Sequence, residues 1–273
     1  MLVLIKGAGD IASGVALRLY RSHIPVVMTE IAMPTTVRCT VAFSGAVTSG
    51  SAFVEGICAK LATDAAAVNT LLMQGVIPVV IDPKATMRTV LKPDVVIDAI
   101  LAKKNLGTGI TDAPLVIALG PGFTAGVDCH AIVETKRGHT LGRVITHGSA
   151  IANTGIPGEI AGHSADRIIR ACADGVFTPL CAIGTLVKKG DAVARVGDAE
   201  IFAQLDGVVR GMLPAGVAVH RGMKSGDIDP RGNVASCETV SDKALAIGGG
   251  VLEALLHFQR PLPFDAYNTQ NVR

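Results

Sequence analysis

The stretch Gly7-Ala8-Gly9-Asp10-Ile11-Ala12-Ser13-Gly14 decides the fold predicted for this chain of 273 residues. It follows an apolar run, residues 1–5, and precedes apolar residues at helical spacing. A glycine turn between a strand and a helix is typical of the Rossmann-like, doubly wound α/β fold. The free N–H groups at the start of such a helix attract an anion. The sequence therefore predicts a mostly parallel sheet with a phosphate-binding turn near the N-terminus.

Five residues in and after this turn are candidate cofactor contacts. Gly7 permits the tight turn, and Gly9 lets the backbone approach a pyrophosphate. Asp10 and Ser13 belong to the same motif and would lie near the phosphate. A second apolar run ends at Glu30, 21 residues after Gly9, where an acid can accept hydrogen bonds from ribose hydroxyls. These positions predict dinucleotide binding, and the alternative is a glycine turn that binds nothing.

The composition favours a large aliphatic core and disfavours nucleic-acid binding. Hydrophobic residues make up 49% of the chain and aromatic residues 3%, which suits a buried parallel sheet of Val, Ile, Leu and Ala. At ~150 residues per domain, the length allows one large domain or two. The net charge is +2, and no basic cluster exceeds a Lys-Lys pair. A nucleic-acid partner is therefore not expected.

The cysteines and apolar runs predict a reduced, cytoplasmic protein. No two of the six cysteines form a C-x-x-C pair, so neither a zinc ribbon nor a disulfide scaffold is expected. No apolar run approaches 18 residues, so no membrane span is expected, and the N-terminal run is too short for a signal peptide. His130, Glu134 and His139 lack the spacing of a helical zinc site, and no metal site is predicted.

A strand is predicted from Val37 to Phe43, carrying Arg38 and Cys39. Cys39 is interpreted as a small buried residue next to a solvated arginine. The alternative is a nucleophile or chalcogen carrier whose thiolate is stabilised by Arg38.

Two similar runs, residues 79–82 and 95–98, predict parallel strands that each end in an aspartate. Asp82 precedes a proline and is interpreted as a turn residue. Asp98 is followed by a polar loop, residues 103–108, that contains Lys104 and Asn105. Because ligands bind at the carboxyl ends of parallel strands, Asp98 is a candidate cofactor contact, with a cap or turn role as the alternative.

A second glycine turn follows the strand predicted at residues 115–119. Gly120, Gly122 and Phe123 are expected to face the first glycine turn across a shared crevice. His130 follows shortly after and is expected to converge with Lys104 and Asn105 on an anionic ligand. These three are the candidate catalytic or anion-handling residues. The alternatives are a solvated loop lysine and a histidine satisfied by the backbone.

The chain is expected to divide at about residue 165. Residues 1–165 would form the dinucleotide-binding domain and residues 166–240 a β-rich module that resembles a lipoyl, barrel-sandwich-like half. Its central hairpin, residues 197–200, has no lysine, so no prosthetic group is expected on it. The charged loop from Lys224 to Arg231 is interpreted as either a solvated turn or a loop that closes on ligand. A last helix and tail, residues 241–273, would pack on the first domain, and close packing would explain Gly248–Gly250.

Four stretches carry a family resemblance. The runs Ala118–Ile145, 7–14, 98–108 and 224–231 resemble the YqeB-type proteins, a family associated with selenium-dependent molybdenum hydroxylases and distantly similar to XdhC/CoxI accessory proteins. The resemblance implies a maturation protein with a molybdenum hydroxylase as partner. The cofactor would be a molybdopterin-type dinucleotide or NAD(P). Whether the chain is an enzyme stays open, as does homo-oligomerisation. The alternatives are an NAD(P)-dependent oxidoreductase and a non-catalytic scaffold that docks a partner enzyme.

Overall fold

The computed structural model describes residues 1–155 and 158–259. Within them the chain forms one nine-stranded sheet, called here the main sheet, and then two four-stranded antiparallel sheets, called the sandwich. The main-sheet part contains β1 (Val3–Lys6), α1 (Asp10–Arg21), β2 (Val26–Glu30), α2 (Gly45–Ser49), β3 (Ser51–Val54), β4 (Ile57–Ala62), α3 (Ala65–Met73), β5 (Ile77–Ile81), α4 (Arg88–Leu91), β6 (Val95–Asp98), β7 (Leu115–Leu119), β8 (Ala131–Val133) and β9 (Val144–Ile145).

The sandwich follows, and a long helix ends the described chain. The elements are β10 (Ile168–Arg170), β11 (Gly175–Pro179), β12 (Leu186–Val187), β13 (Ala192–Val196), β14 (Ala199–Phe202), β15 (Gly207–Met212), β16 (Ala218–Val219), β17 (Lys224–Asp229) and α5 (Asp242–Gln259). The tail predicted to pack on the first domain, residues 260–273, lies outside the described residues, as do residues 156 and 157. No helix in the described part is long and apolar enough to cross a membrane.

The strand order of the main sheet is β3-β4-β5-β2-β1-β6-β7-β8-β9. Strands β4 to β8 pair in parallel, whereas β3 pairs antiparallel with β4, and β9 with β8. The two similar runs of sequence form β5 and β6, which are separated by β2 and β1. The carboxyl ends of β1, β6, β7 and β8 lie at one edge of the sheet, which is where a ligand is expected in such an architecture.

The core lies on both faces of the main sheet because side chains alternate along each strand. Val3 and Ile5 of β1 pack with α1 and α5, whereas Leu4 faces the opposite side. Helix α5 packs along α1, where a side chain on Gly14 would collide with Ala244. The last helix thus returns to the first helix of the chain and closes one layer over the sheet.

This architecture corrects the predicted fold class. The sheet is mixed, with antiparallel strands at both edges, and its second face is covered by the nine-residue α3, the four-residue α4 and loops rather than by a full helical layer. The β-rich part is a pair of four-stranded antiparallel sheets rather than a lipoyl-like half-barrel. At each edge of the main sheet, two antiparallel strands are joined by a local turn. A prediction based on a strand-helix-strand pattern assumes parallel strands and does not include such hairpins.

Candidate functional site

A cleft of about 830 Å³ lies between the carboxyl edge of the main sheet and the sandwich. The main sheet contributes the start of α1, the loops after β7 and β8, and the segment before α5. The sandwich contributes β10, β15 and β17. The cleft is therefore assembled from segments separated by more than 200 residues of sequence.

Basic side chains dominate the lining of this cleft. Among the described residues, nine basic side chains line it and only two acidic ones, whereas the whole chain has 25 basic and 23 acidic residues. The basic residues are Arg38, Lys103, Lys136, Arg137, Arg167, Arg170, Arg210, Lys224 and Lys243, and the acids are Asp10 and Asp227. Charges of one sign within low-dielectric walls concentrate the electric field and attract ligands of the opposite sign.

Arg38 connects the start of α1 with the segment that precedes α5 at one side of the cleft. Its Nη1 donates to Oδ2 of Asp10, the first residue of α1, at 3.1 Å. Its Nη2 donates to the carbonyl oxygens of Ser236 and Thr239 at 3.1 and 3.0 Å. Arg38 is only 8% exposed, so the expected solvated arginine is wrong, and Cys39–Val41 form a 3₁₀ turn instead of the predicted strand. Burial raises the pKa of the Cys39 thiol, which disfavours the thiolate.

The wall contributed by the sandwich is built from buried arginine–aspartate pairs. Arg167 donates to Asp227 and also to the carbonyl oxygen of Gly158. Arg210 lies 3.6 Å from Asp229, and only 7% of the residue is exposed. Burial and the neighbouring charge of Arg38 lower the pKa of Arg210. A buried guanidinium with another guanidinium nearby favours an additional anion in the same space.

Two lysines face the cleft from opposite sides. Lys243 stands in the first turn of α5, and Lys224 begins β17. Burial lowers the pKa of Lys243, and the charges of Arg137 and Lys224 lower it further. Burial also lowers the pKa of Lys224, although Asp227 opposes this effect. Each ammonium is therefore less stable than in water, and a bound anion would restore its stability.

Glu134 shapes the wall after β8, a role that the sequence does not reveal. Its carboxylate is buried and accepts hydrogen bonds from the backbone N–H groups of Thr135, Lys136 and Ile151 at 2.7, 2.8 and 2.8 Å. These bonds hold the two loops that carry Lys136 and Ile151 into the cleft lining.

The first glycine turn is in the predicted place, but a side chain of the protein itself, Glu30, binds one of its backbone N–H groups. Gly7 has φ +99°, and a side chain there would meet the backbone of Ala99. The Glu30 carboxylate accepts hydrogen bonds from the N–H groups of Ala8 and Ile31 at 2.9 and 2.8 Å. The acid predicted to bind a ribose thus accepts a hydrogen bond from the Ala8 N–H, a donor that a phosphate would otherwise use. Of the predicted contacts in this motif, Asp10 lines the cleft.

Ser13 and Gly9 serve the packing of α1. Ser13 is fully buried, where its hydroxyl donates to the Ala8 carbonyl and accepts from the N–H of Phe43 at 2.8 Å. Gly9 is the residue before α1, and a side chain there would touch Thr36. Neither residue is among those that line the cleft in the described structure.

The second glycine turn contacts the loop after β6. A side chain on Gly122, which has φ +108°, would lie 2.6 Å from the Cα of Lys104. Gly120 has φ +73° and packs against Thr135. Phe123 is buried in the core on the second face of the sheet, so it does not form a wall of the cleft. Lys103, rather than Lys104, lines the cleft, and Lys104 is exposed.

The loop itself is held by internal polar contacts. Asn105 Oδ1 accepts from the N–H groups of Gly107 and Thr108 at 2.8 Å each. Asp98 is buried, accepts from the Thr108 hydroxyl at 2.5 Å and lies 3.6 Å from Lys6 Nζ. Asn105 and Asp98 therefore fix the loop's conformation, which is the alternative role stated for Asp98.

His130 lies away from the other candidates. Its Nδ1 accepts from the N–H of Val116 at 3.0 Å, near the start of β7, and its ring stacks edge-on with Phe258. His130 thus sits at the amino edge of the sheet, because the chain crosses back over the sheet between the second glycine turn and β8. Asn105 Nδ2 lies 3.5 Å from Oδ1 of Asp128, two residues before His130, but the His130 ring itself contacts Val116 and Phe258. These contacts fit the alternative of a histidine satisfied by the backbone. No group of three His, Cys, Asp or Glu side chains in the described part could hold a metal ion.

Comparisons with known proteins connect the chain to one curated relative. No protein-family model matches it. It is 57% identical over 255 residues to a protein of Escherichia coli (strain K12) described as the uncharacterized protein YqeB. The match covers 93% of this chain and 47% of that protein, so the chain spans about half the length of its relative. This identity confirms the resemblance to YqeB-type proteins.

Solved structures match the chain more weakly. An aspartoacylase family protein from Mesorhizobium loti is 13% identical, with 83% of this chain and 84% of that chain covered and a TM-score of 0.28. A succinylglutamate desuccinylase from Silicibacter sp. is also 13% identical, with the same coverage and a TM-score of 0.25.

The comparison with the relative gives no support to the function that the resemblance implied, because the relative is described only as uncharacterized. The predicted maturation role is withdrawn, together with the oxidoreductase and scaffold alternatives. The Rossmann-like plus lipoyl-like fold is corrected by the mixed main sheet and the two antiparallel sheets of the sandwich. Within the site, the use of the Ala8 N–H by Glu30 is the physical reason against the predicted dinucleotide contacts.

Proposed function

We propose that this YqeB-type chain binds, in the cleft between the main sheet and the sandwich, a small molecule that carries two or more negative charges. The observation that carries the proposal is the composition of the described lining, which has nine basic side chains and two acidic ones. Phosphate and carboxylate groups are the ligands that such a surface recognises, through charge-assisted hydrogen bonds from arginine and lysine.

The ion pairs already present leave part of this positive charge uncompensated. Asp10 is paired with Arg38, and Asp227 with Arg167. Two further arginines of the lining are paired with acids just outside it, Arg137 with Asp242 and Arg210 with Asp229. Lys103, Lys136 and Lys243 make no ion pair within the described residues. Several cations held close together repel one another, and the repulsion is relieved when a multiply charged anion enters. A ligand with one negative charge would relieve only part of it.

The position of the cleft supports a small molecule rather than a macromolecule. It lies at the carboxyl edge of the parallel strands, where α/β sheets bind ligands, and its volume of about 830 Å³ is that of a metabolite-sized pocket. The described lining contains both backbone turns and side chains from two structural units, an arrangement that encloses a ligand on several sides.

Isothermal titration calorimetry with inorganic pyrophosphate, citrate and uncharged glycerol tests this proposal. We expect pyrophosphate or citrate to bind and glycerol not to bind. Binding should weaken by roughly tenfold or more between 50 and 500 mM salt, because ionic screening acts on every charge pair. The comparison of pyrophosphate with citrate distinguishes phosphate-bearing from carboxylate-bearing ligands.

Two charge-reversal variants, one on the cleft wall and one away from it, test whether binding occurs in the cleft. Arg170→Glu changes an exposed residue of β10 that lines the cleft, so the fold should tolerate it, and the affinity should fall by about tenfold or more. Lys60→Glu places the same charge change on the exposed side of β4, away from the cleft, and should leave the affinity near the wild-type value. Equal losses in both variants, or no binding of any anion by the wild type, would overturn the proposal.

A further inference from the structure

We infer that Lys243 is an imine-forming lysine and that the ligand of the cleft is an anionic aldehyde or ketone. This inference rests on the proposed function, because the negative charge of the ligand is what would bring its carbonyl group into the cleft. It goes beyond that function by assigning a covalent step to one side chain.

The position of Lys243 in the cleft leaves its amine available to a ligand. It lies in the first turn of α5, follows the capping residue Ser241, and lines the cleft while being partly buried. Its amine makes no hydrogen bond or ion pair with the residues that the structure describes. The neighbouring Asp242 carboxylate, which could have neutralised it, is instead bound by both Nη atoms of Arg137 at 2.8 and 3.0 Å.

The charges around Lys243 favour its neutral amine. The groups that act on it are Arg137, Lys224, Asp10 and Glu134, and the two cations and burial together outweigh the two acids, so that its pKa is lowered. A lysine that is desolvated beside another cation is a recognised way of making an amine nucleophilic near neutral pH. Lys224 shares the depressed pKa but lies 4.0 Å from Asp227, which favours its ammonium form.

The step balances without any oxidant or reductant. The lone pair of the neutral amine attacks the carbonyl carbon as the C–O π bond breaks, and one proton moves from the nitrogen to the oxygen to give a neutral carbinolamine. A second proton then moves from the nitrogen to the hydroxyl, the C–O bond breaks and water leaves, and a neutral imine remains. Asp10, whose charge acts on both lysines, is the carboxylate in the lining that can relay these protons.

Reductive trapping tests the inference. Full-length protein is incubated with pyridoxal 5′-phosphate, a phosphate-bearing aldehyde, reduced with borohydride, digested, and mapped by mass spectrometry. We expect modification at Lys243 to exceed that at the exposed Lys189 by roughly tenfold, because binding raises the local concentration of the aldehyde. Pyridoxal, which has no phosphate, should lose this preference, and excess pyrophosphate should suppress it.

Two variants and a pH profile separate nucleophilicity from charge. Lys243→Arg keeps a positive charge but should abolish the adduct, whereas Lys189→Arg should label as the wild type does. The rate of labelling at Lys243 should reach half of its maximum at a lower pH than the rate at Lys189. Pyrophosphate binding without preferential labelling of Lys243 would overturn this inference alone, whereas absence of both would overturn the proposed function as well.

Discussion

At the residue scale, the bidentate pair of Arg137 and Asp242 sets the electrostatics at the start of α5. The hydrogen bonds from Arg137 are the largest cause that lowers the pKa of Asp242, which falls to about 2. The Asp242 side chain is 74% exposed, so solvent screening limits the contribution of the pair to about 1 kcal/mol or less. The pair therefore contributes little to the stability of the fold. Its main effects are to orient Arg137 and to keep the Asp242 carboxylate from pairing with Lys243.

The pH dependence of this contribution has a definite direction. Because the pKa of Asp242 is lower in the native state than in the unfolded chain, the contribution is complete above about pH 4 and is lost as the pH falls towards 2. We expect Asp242→Asn to lower the free energy of unfolding at pH 5 by more than at pH 2.5, as measured by urea denaturation. In an Arg137→Gln background this difference should vanish. A constant difference at both pH values would contradict the assignment.

At the element scale, the three successive glycines of α5 have different surroundings. A side chain on Gly248 would lie 2.7 Å from the Arg18 side chain and 3.0 Å from the carbonyl oxygen of Gly14 on α1. A side chain on Gly250 would collide with the carbonyl oxygen of Gly142, in the turn before β9. Gly249 has no atom within 4 Å of that position. Close packing thus explains Gly248 and Gly250, and it leaves Gly249 without a packing reason.

This difference predicts opposite effects of the same substitution. Gly249→Ala should raise the free energy of unfolding by about 1 kcal/mol, because alanine favours a helix over glycine. Gly250→Ala should lower it by about 1–3 kcal/mol, because the new methyl group displaces backbone that cannot move freely. Thermal or urea unfolding of the two variants measures both. Stabilisation by both substitutions would show that α5 does not pack against the turn at Gly142.

At the scale of the whole molecule, Arg38 joins the main sheet to the segment between the sandwich and α5. Beside it, the N–H of Met212 on β15 donates to the carbonyl oxygen of Val37 at 2.7 Å, and a side chain on Gly211 would collide with Val37. The sandwich is thus seated directly on the segment that carries Arg38. The relative position of the two walls of the cleft depends on this contact.

Removal of Arg38 should loosen the whole assembly. Arg38→Ala leaves the Asp10 carboxylate and two carbonyl oxygens without their donor, and we expect a loss of about 3 kcal/mol. Hydrogen exchange should accelerate in β15 and β17 as well as in α1. Arg88→Ala removes a pair with Asp112 within the main-sheet part and should leave exchange in β15 and β17 unchanged. Acceleration confined to α1 would mean that Arg38 does not couple the two parts.

The sequence by itself determined the elements whose signals are local. The glycine turn between β1 and α1, the buried strands β5 to β7 and the turn role of Asp82 all follow from residues within a few positions of each other. The motifs also identified the resemblance to YqeB-type proteins, and the sequence match to the relative extends over 93% of the chain.

Only the tertiary structure decided which residues form the cleft. Arg38, Arg167, Arg210 and Lys243 are isolated in the sequence, and each resembles an ordinary surface residue there. They meet because β17 pairs with both β10 and β15 in the sandwich, the sandwich packs on the segment at Val37, and α5 returns to α1. The same long-range packing turned Glu30 onto the glycine turn and took His130 to the opposite edge of the sheet. Local patterns set which backbone conformations are favourable, whereas the position of a charge depends on contacts between segments distant in sequence.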